Sequence, residues 1–379
     1  MSREMDSELV NFETVAPKPD TVAVVVEAGV EAKAATKKSK RTKSEAPIAD
    51  EPAVSKVDSA ALRQPSPPNL FFPQHGFSTT LDKGSYDKIV KKVVMSSKDE
   101  GFKSHYFVAT DSSLHGLKFP VKSAELDMAK ELIYADGVDS IRVADATVFP
   151  EIQSLRIQTG GVMEPLEHAR IAIGPDEKRF HWLEDATVQI VSGIAYTASG
   201  EYHYKFKDVD QVFRFDNVNV RPDTVSLGYA VIPEEKGFFI TERFYFRDTV
   251  EIVGNQKYLN FRGQVKIQTE NPALSESWID VRAENVNPDS VIVPVDSSVL
   301  KDLAVGVYFV PRRSAFYSKF LEKKFDRNDV AVLSAAGSIT FDLSTNEFRI
   351  GDLNKLKRVR FKGNVVGYND AKNIVTSEG

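Results

Sequence analysis

Leu166-Glu167-His168-Ala169-Arg170-Ile171-Ala172-Ile173 returns further along the chain as Leu183-Glu184-Asp185-Ala186-Thr187-Val188-Gln189-Ile190. Looser copies precede both, at Val143-Ala144-Asp145-Ala146-Thr147-Val148 and Ser123-Ala124-Glu125-Leu126. The recurring alanines Ala124, Ala146, Ala169 and Ala186 lie 22, 23 and 17 residues apart. That period is too short for a domain and fits one supersecondary unit of two strands and two turns. In each copy apolar residues alternate with polar ones, which puts one face on a core and the other in water. So small a unit cannot bury its apolar face alone, and successive units are expected to stack. The inward positions of that stack are Leu126, Met128, Val148, Ile171, Ile173, Val188 and Ile190.

Composition sets outer bounds. The 379 residues suffice for one large or two ordinary domains. With 49 basic and 54 acidic residues the net charge is −5, which indicates no general affinity for nucleic acid or an anionic membrane. Phe (24) and Tyr (12) far outnumber Trp (2), a balance that favours sheet. Cysteine is absent, which removes disulfides, thiolate chemistry and cysteine metal sites together. No apolar run approaches the ~18 residues of a membrane helix. Met1-Ser2-Arg3-Glu4-Met5-Asp6 lacks the order of a signal peptide, so the chain is expected to be cytoplasmic or an internal piece of something longer.

Residues 1–68 are poor in aromatics and rich in Ala, Val, Glu, Lys, Ser and Pro, and read as a disordered linker. The basic run Lys37-Lys38-Ser39-Lys40-Arg41-Thr42-Lys43 reads as solvated, balanced by Glu31, Glu45, Asp50 and Glu51. Ala124 to Tyr134 has helical propensity, yet its repeat register predicts strand, turn and strand. Beyond the repeats, Tyr202, Tyr204 and Phe206 share one strand face, and Leu259 to Ile267 alternates at period two over nine residues. Ser314 to Lys324 carries Phe316, Phe320 and Leu321 opposite lysines and predicts a short amphipathic helix. At one turn signal every 8–12 residues, the ordered part should hold about 25 strands. The fold class is therefore all-β: antiparallel hairpin repeats over 69–195, stacked as a β-jellyroll or solenoid, continue into a β-meander or sandwich over 196–379. One short helix is expected near the C-terminus.

Chemistry is thinly signalled. Glu201-x-His203 and His181-x-x-Glu184 are the nearest approach to a metal ligand set, and a solvent-facing strand pair explains them as well. Glu184-Asp185 and Glu234-Glu235 are adjacent carboxylates, but neighbours on a strand face opposite ways and the second pair sits in a turn. Tyr202, Tyr204 and Phe206 could stack nucleic-acid bases, although core aromatics with a wet outer face are commoner. No enzyme, metal or cofactor is expected.

Ile133-Tyr134-Ala135-Asp136-Gly137-Val138-Asp139-Ser140-Ile141-Arg142-Val143-Ala144-Asp145-Ala146-Thr147-Val148-Phe149-Pro150 resembles a recurrent segment of large, uncharacterised β-repeat proteins of the cell envelope of Bacteroidota. Ala186 to Tyr204, Gly237-Phe238-Phe239-Ile240, Leu333-Ser334-Ala335-Ala336-Gly337 and Thr345-Asn346-Glu347-Phe348-Arg349-Ile350 extend the resemblance over about 70–370. More distantly, the short repeated hairpins are similar to OstA-type domains of lipopolysaccharide transport, which stack into an open β-jellyroll with a greasy interior. The resemblance implies a periplasmic or outer-membrane setting within a longer exported chain. It also implies a non-enzymatic scaffold, with lipid or other envelope proteins as partners. The seven inward positions would then line a lipid groove. A carbohydrate-binding or glycoside-processing solenoid would instead show exposed Tyr or Trp over an acid-lined polar cleft, and an adhesion or assembly module would leave sheet edges free.

Overall fold

The computed structural model describes residues 9–13, 70–97, 105–175, 178–272, 274, 277–295, 303–358 and 362–379. Most of the linker expected over 1–68 lies outside the described residues, but β1 (Leu9–Glu13) is a strand paired with Lys83–Asp87, so that expectation fails there. The pairing supplies backbone partners that a linker reading from composition does not foresee.

From residue 70 the hairpins alternate between two layers. β2 (Leu70–Phe72) and β3 (Phe77–Thr79) begin one layer, and β4 (Lys83–Asp87) and β5 (Lys92–Ser96) the other. β6 (His105–Ala109) and β7 (Lys118–Val121) return to the first, and β8 (Ser123–Asp127) and β9 (Leu132–Asp136) to the second. β10 (Ile141–Val143) and β11 (Ala146–Phe149) lie beside β7, and β12 (Ser154–Gln158) pairs with β9. Inward side chains of both layers meet in one continuous core. The stretch from Ala124 to Tyr134 is strand, turn and strand. The Asp127 carboxylate accepts the backbone N–H groups of Ala129 and Lys130 at 3.1 Å, and Glu131 takes φ +52°, which closes a hairpin where helix propensity alone would run on.

The two tight sequence copies turn out to be neighbouring strands, β13 (Leu166–Ile173) and β14 (His181–Ser192), with Ala169 opposite Ala186. Each copy is thus a single strand and not a two-stranded brick, which corrects the sequence reading. The shared Leu-Glu-x-Ala pattern marks a β-bulge: His168 (φ +52°) and Asp185 (φ +45°) hold the third position of each copy, where the register shifts. Ala146 and Ala124 are also buried, the former on β11 of the same sheet and the latter in the facing layer.

β15 (Ala195–Phe206), β16 (Val209–Val220) and β17 (Ser226–Ile232) follow in pairing order, then β18 (Phe239–Thr241) and β19 (Phe244–Val253), with β19 pairing both β17 and β18. β20 (Asn260–Ile267), β21 (Ile279–Ala283) and β22 (Ile292–Val295) continue the sheet. The boundary expected at 195 falls on the first residue of β15, Ala195, which is paired with Ser192 of β14. The sheet reaches sixteen strands and curls, as long open sheets do. Tyr204 on β15 donates its hydroxyl to the Ile240 carbonyl at 2.8 Å, and its ring meets Phe238 at 5.2 Å and Phe261 at 5.9 Å.

A separate three-stranded sheet holds β23 (Ala304–Val310), β24 (Ala315–Glu322) and β25 (Val330–Ser334). β24 occupies the stretch expected to be the amphipathic helix, so that placement is wrong. The aromatic strand β23 pairs with it along its length, and Leu321 at φ +56° bulges so that Phe320 and Leu321 are both buried. β26 (Gly337–Asp342) and β27 (Glu347–Gly351) then return to the long sheet. The described helix is α1 (Leu353–Lys357), near the C-terminus as expected but later than its assigned residues. Asp352 caps it by accepting the Asn354 and Lys355 N–H groups. β28 (Val365–Asn369) and β29 (Ile374–Glu378) finish the chain, the latter where a polar tail was expected.

Candidate functional site

The seven inward positions give the first place to look. Val148, Ile171, Ile173, Val188 and Ile190 are buried in a filled core. Ala124, Ile133, Ala135, Leu155 and Ile157 of the facing layer belong to the same cluster. Leu126 packs against it only partly. Met128 stands 49% exposed in the turn after β8, because the hairpin there ends one residue earlier than strict alternation implies. The residues expected to line an apolar groove are therefore core, save Met128 on the surface.

The Val-Ala-Asp-Ala segment has a more specific duty. Ala144 takes φ +52° to turn β10 into β11, and its N–H bonds to the Gly193 carbonyl at 2.9 Å. The Asp145 carboxylate accepts the Ser226 N–H at 2.9 Å and the Ser226 hydroxyl. The Tyr196 hydroxyl shares a 2.7 Å hydrogen bond with the same Ser226 Oγ. Gly254 lies against this carboxylate so closely that a Cβ there would stand 2.0 Å from Asp145 Oδ2. The repeat turn is thereby latched to β15, β17 and the end of β19.

On the outer face of the same sheet, side chains from β11, β13, β14, β15 and β16 form a polar cleft. Phe149 and Trp182 stack with centroids 5.9 Å apart. The Arg170 guanidinium lies 5.2 Å from the Trp182 ring, and that of Arg179 lies 5.2 Å from Phe149 and 5.7 Å from Trp182. Arg170, Phe180, Trp182, Glu184, Tyr202, His203, Lys205 and Asp210 line a cleft of about 490 Å³. His203 Nδ1 donates to Asp210 at 3.0 Å, its Nε2 is 3.8 Å from Glu184, and Lys205 Nζ is 3.4 Å from Asp210. Desolvation pushes the Asp210 carboxyl up, but its bonds to His203 and the charge of Lys205 outweigh it and hold the group below the usual carboxylate range. Asp210 is thus an anionic acceptor.

The other sequence candidates separate. His181 is fully buried: its Nε2 donates to the Gln256 carbonyl at 2.9 Å and its Nδ1 accepts from Tyr202 at 3.2 Å. Burial lowers its pKa to about 4, so it is neutral and faces no ion. His203 pairs with Asp210 rather than with Glu201, because β15 and β16 place Lys205 opposite Asp210 and His203 diagonal to it. Asp185 leaves its neighbour Glu184 and bonds His168 at 2.5 Å, a hydrogen bond that with its charge raises the His168 pKa. Glu234 pairs with Arg247. Tyr204 and Phe206 are core. Sequence reasoning missed Arg170, Arg179 and Asp210. No local pattern marked them, because cross-strand register brings them together.

Among the described residues no group of three or more His, Asp or Glu could hold a metal ion, and no helix is long and apolar enough to cross a membrane. Compared with family models, curated proteins and solved structures, the chain matches none.

Proposed function

We propose that the chain is a non-enzymatic β-scaffold of the cell envelope, closed inside and working through its outer face. The observation that carries this reading is the filled core between the alternating hairpin layers, with Val148, Ile171, Ile173 and Val188 wholly out of solvent. A lipid conduit needs a trough that an acyl chain can enter. Parting the layers would expose these side chains at roughly 1.5–3 kcal/mol each, which favours scaffold over conduit. The envelope setting rests on the sequence resemblance to the large β-repeat proteins and to OstA-type modules. In the outer cleft Asp210, held ionised by His203 and Lys205, suits an acceptor better than a general acid.

Titration with a fluorescent fatty acid and with lipopolysaccharide tests this directly. The scaffold reading expects no saturable signal. Stoichiometric binding that Val188→Trp abolishes would establish a conduit instead. Fractionation of the source cells tests the setting, which recovery in the cytoplasmic fraction would sink.

A further inference from the structure

The outer-face cleft has a composition that a pure scaffold does not require. Arg170 and Arg179 have no carboxylate within ion-pair distance among the described residues, although both are exposed. Their guanidinium groups are held instead over the Phe149–Trp182 pair, with no hydrogen bond to another described side chain. Arg179 borders the adjoining cleft, which shares Phe180, Tyr202, His203 and Lys205 with that of Arg170, and a guanidinium fork receives a carboxylate in bidentate fashion. In the cleft with Arg170, Glu184, His203, Lys205 and Asp210 offer acceptors and donors suited to hydroxyl groups.

We propose that this cleft binds a uronic-acid residue of an acidic polysaccharide, its carboxylate on Arg170 and Arg179 and its hydroxyls on Glu184 and the His203–Asp210 pair. The mixed signs choose among anions. Glu184, Glu201 and Asp210 on the same face repel a sulfate-dense polymer more than one that carries a single carboxylate per sugar ringed by neutral hydroxyls. An acidic peptide lacks those hydroxyls. It would also find no free backbone here, since β13, β14, β15 and β16 are each paired on both sides. A volume of about 490 Å³ has room for one or two sugar rings. The inference goes beyond the scaffold reading and does not depend on it.

Because the chain has two tryptophans, Trp278→Phe leaves Trp182 as the sole reporter of its own cleft. Fluorescence titration of that variant with tetrasaccharides of galacturonate, glucuronate and mannuronate is the test. Its comparison arms are the methyl-esterified galacturonate tetramer, inorganic sulfate and tetraglutamate. At least one uronate should quench saturably below millimolar concentration, with the ester at least tenfold weaker. Arg170→Ala and Arg179→Ala should each weaken binding at least tenfold while melting at the parent temperature. No saturation with any uronate, equal binding of the ester, or arginine variants that bind like the parent would overturn the proposal. Equal or tighter binding of tetraglutamate or sulfate would do so too, showing a general anion site.

Discussion

Between residues 70 and 173 no hairpin pairs with the hairpin that follows it: β3 pairs with β6, β5 with β8 and β9 with β12, each across an intervening hairpin in the facing layer. From residue 181 the order is sequential, and β14 to β17 pair one after another before the sheet curls. The first arrangement interlocks two layers, so register in one depends on the other being in place. Its core mixes small inward residues, such as Ala124 opposite Ala135, with a stacked cluster of Phe72, Phe77, Phe107 and Phe119. The second sets register locally, and Tyr204, Phe213, Phe238, Phe246 and Phe261 pack inside its curl. Both regions thus bury aromatic rings, and what separates them is whether register is set locally or across layers.

Truncating the aromatic core should be the costliest test of that contrast. Phe261→Ala removes a ring that meets Tyr204, Phe238 and Phe246, and should cost about 4 kcal/mol in chemical denaturation. Ile133→Ala in the interlocked layers should cost about 3 kcal/mol. A reversal of that order would mean the curl is loosely packed.

Acid should act through the meander. The folded pKa of His181, about 4, lies below the ordinary 6.5, so protons favour the unfolded chain. Its contribution is intact above pH 7 and is lost as pH falls from about 6.5 toward 4, reaching about 3 kcal/mol. His181→Gln keeps a donor and an acceptor and should flatten that part of the stability profile. An unchanged slope would show that histidine is not buried.

Strands were legible in the residues because period two needs only neighbours: Leu259 to Ile267 reads directly as β20 with alternate residues buried. Non-local choices were not. The latch from Asp145 reaches Ser226 across 81 positions, and nothing at Val143-Ala144-Asp145-Ala146 names its partner. Phe316, Phe320 and Leu321 mimic helical spacing because a bulge puts two successive residues inside. The cleft was half visible: Glu184 and His203 were singled out, but Arg170 and Asp210 join them only through cross-strand register.

The latch joins the two regions, and cutting it should give an intermediate effect. Asp145→Ala strands the buried Ser226 N–H and should cost about 2 kcal/mol, lowering the melting temperature without changing the denaturant slope. A change in slope would show the regions unfolding separately. Smaller still, Asp352→Ala removes the cap of α1 and should cost about 1 kcal/mol, leaving residues 70–173 equally protected in hydrogen exchange.

A chain without cysteine allows the closed interior to be probed by a single introduced thiol. Val188→Cys and Met128→Cys should be treated with a maleimide under native conditions, the first residue being buried and the second half-exposed. Labelling at 188 should be at least a hundredfold slower than at 128 and unaffected by added lipopolysaccharide. Comparable rates at the two positions, with lipopolysaccharide shielding 188, would contradict the account.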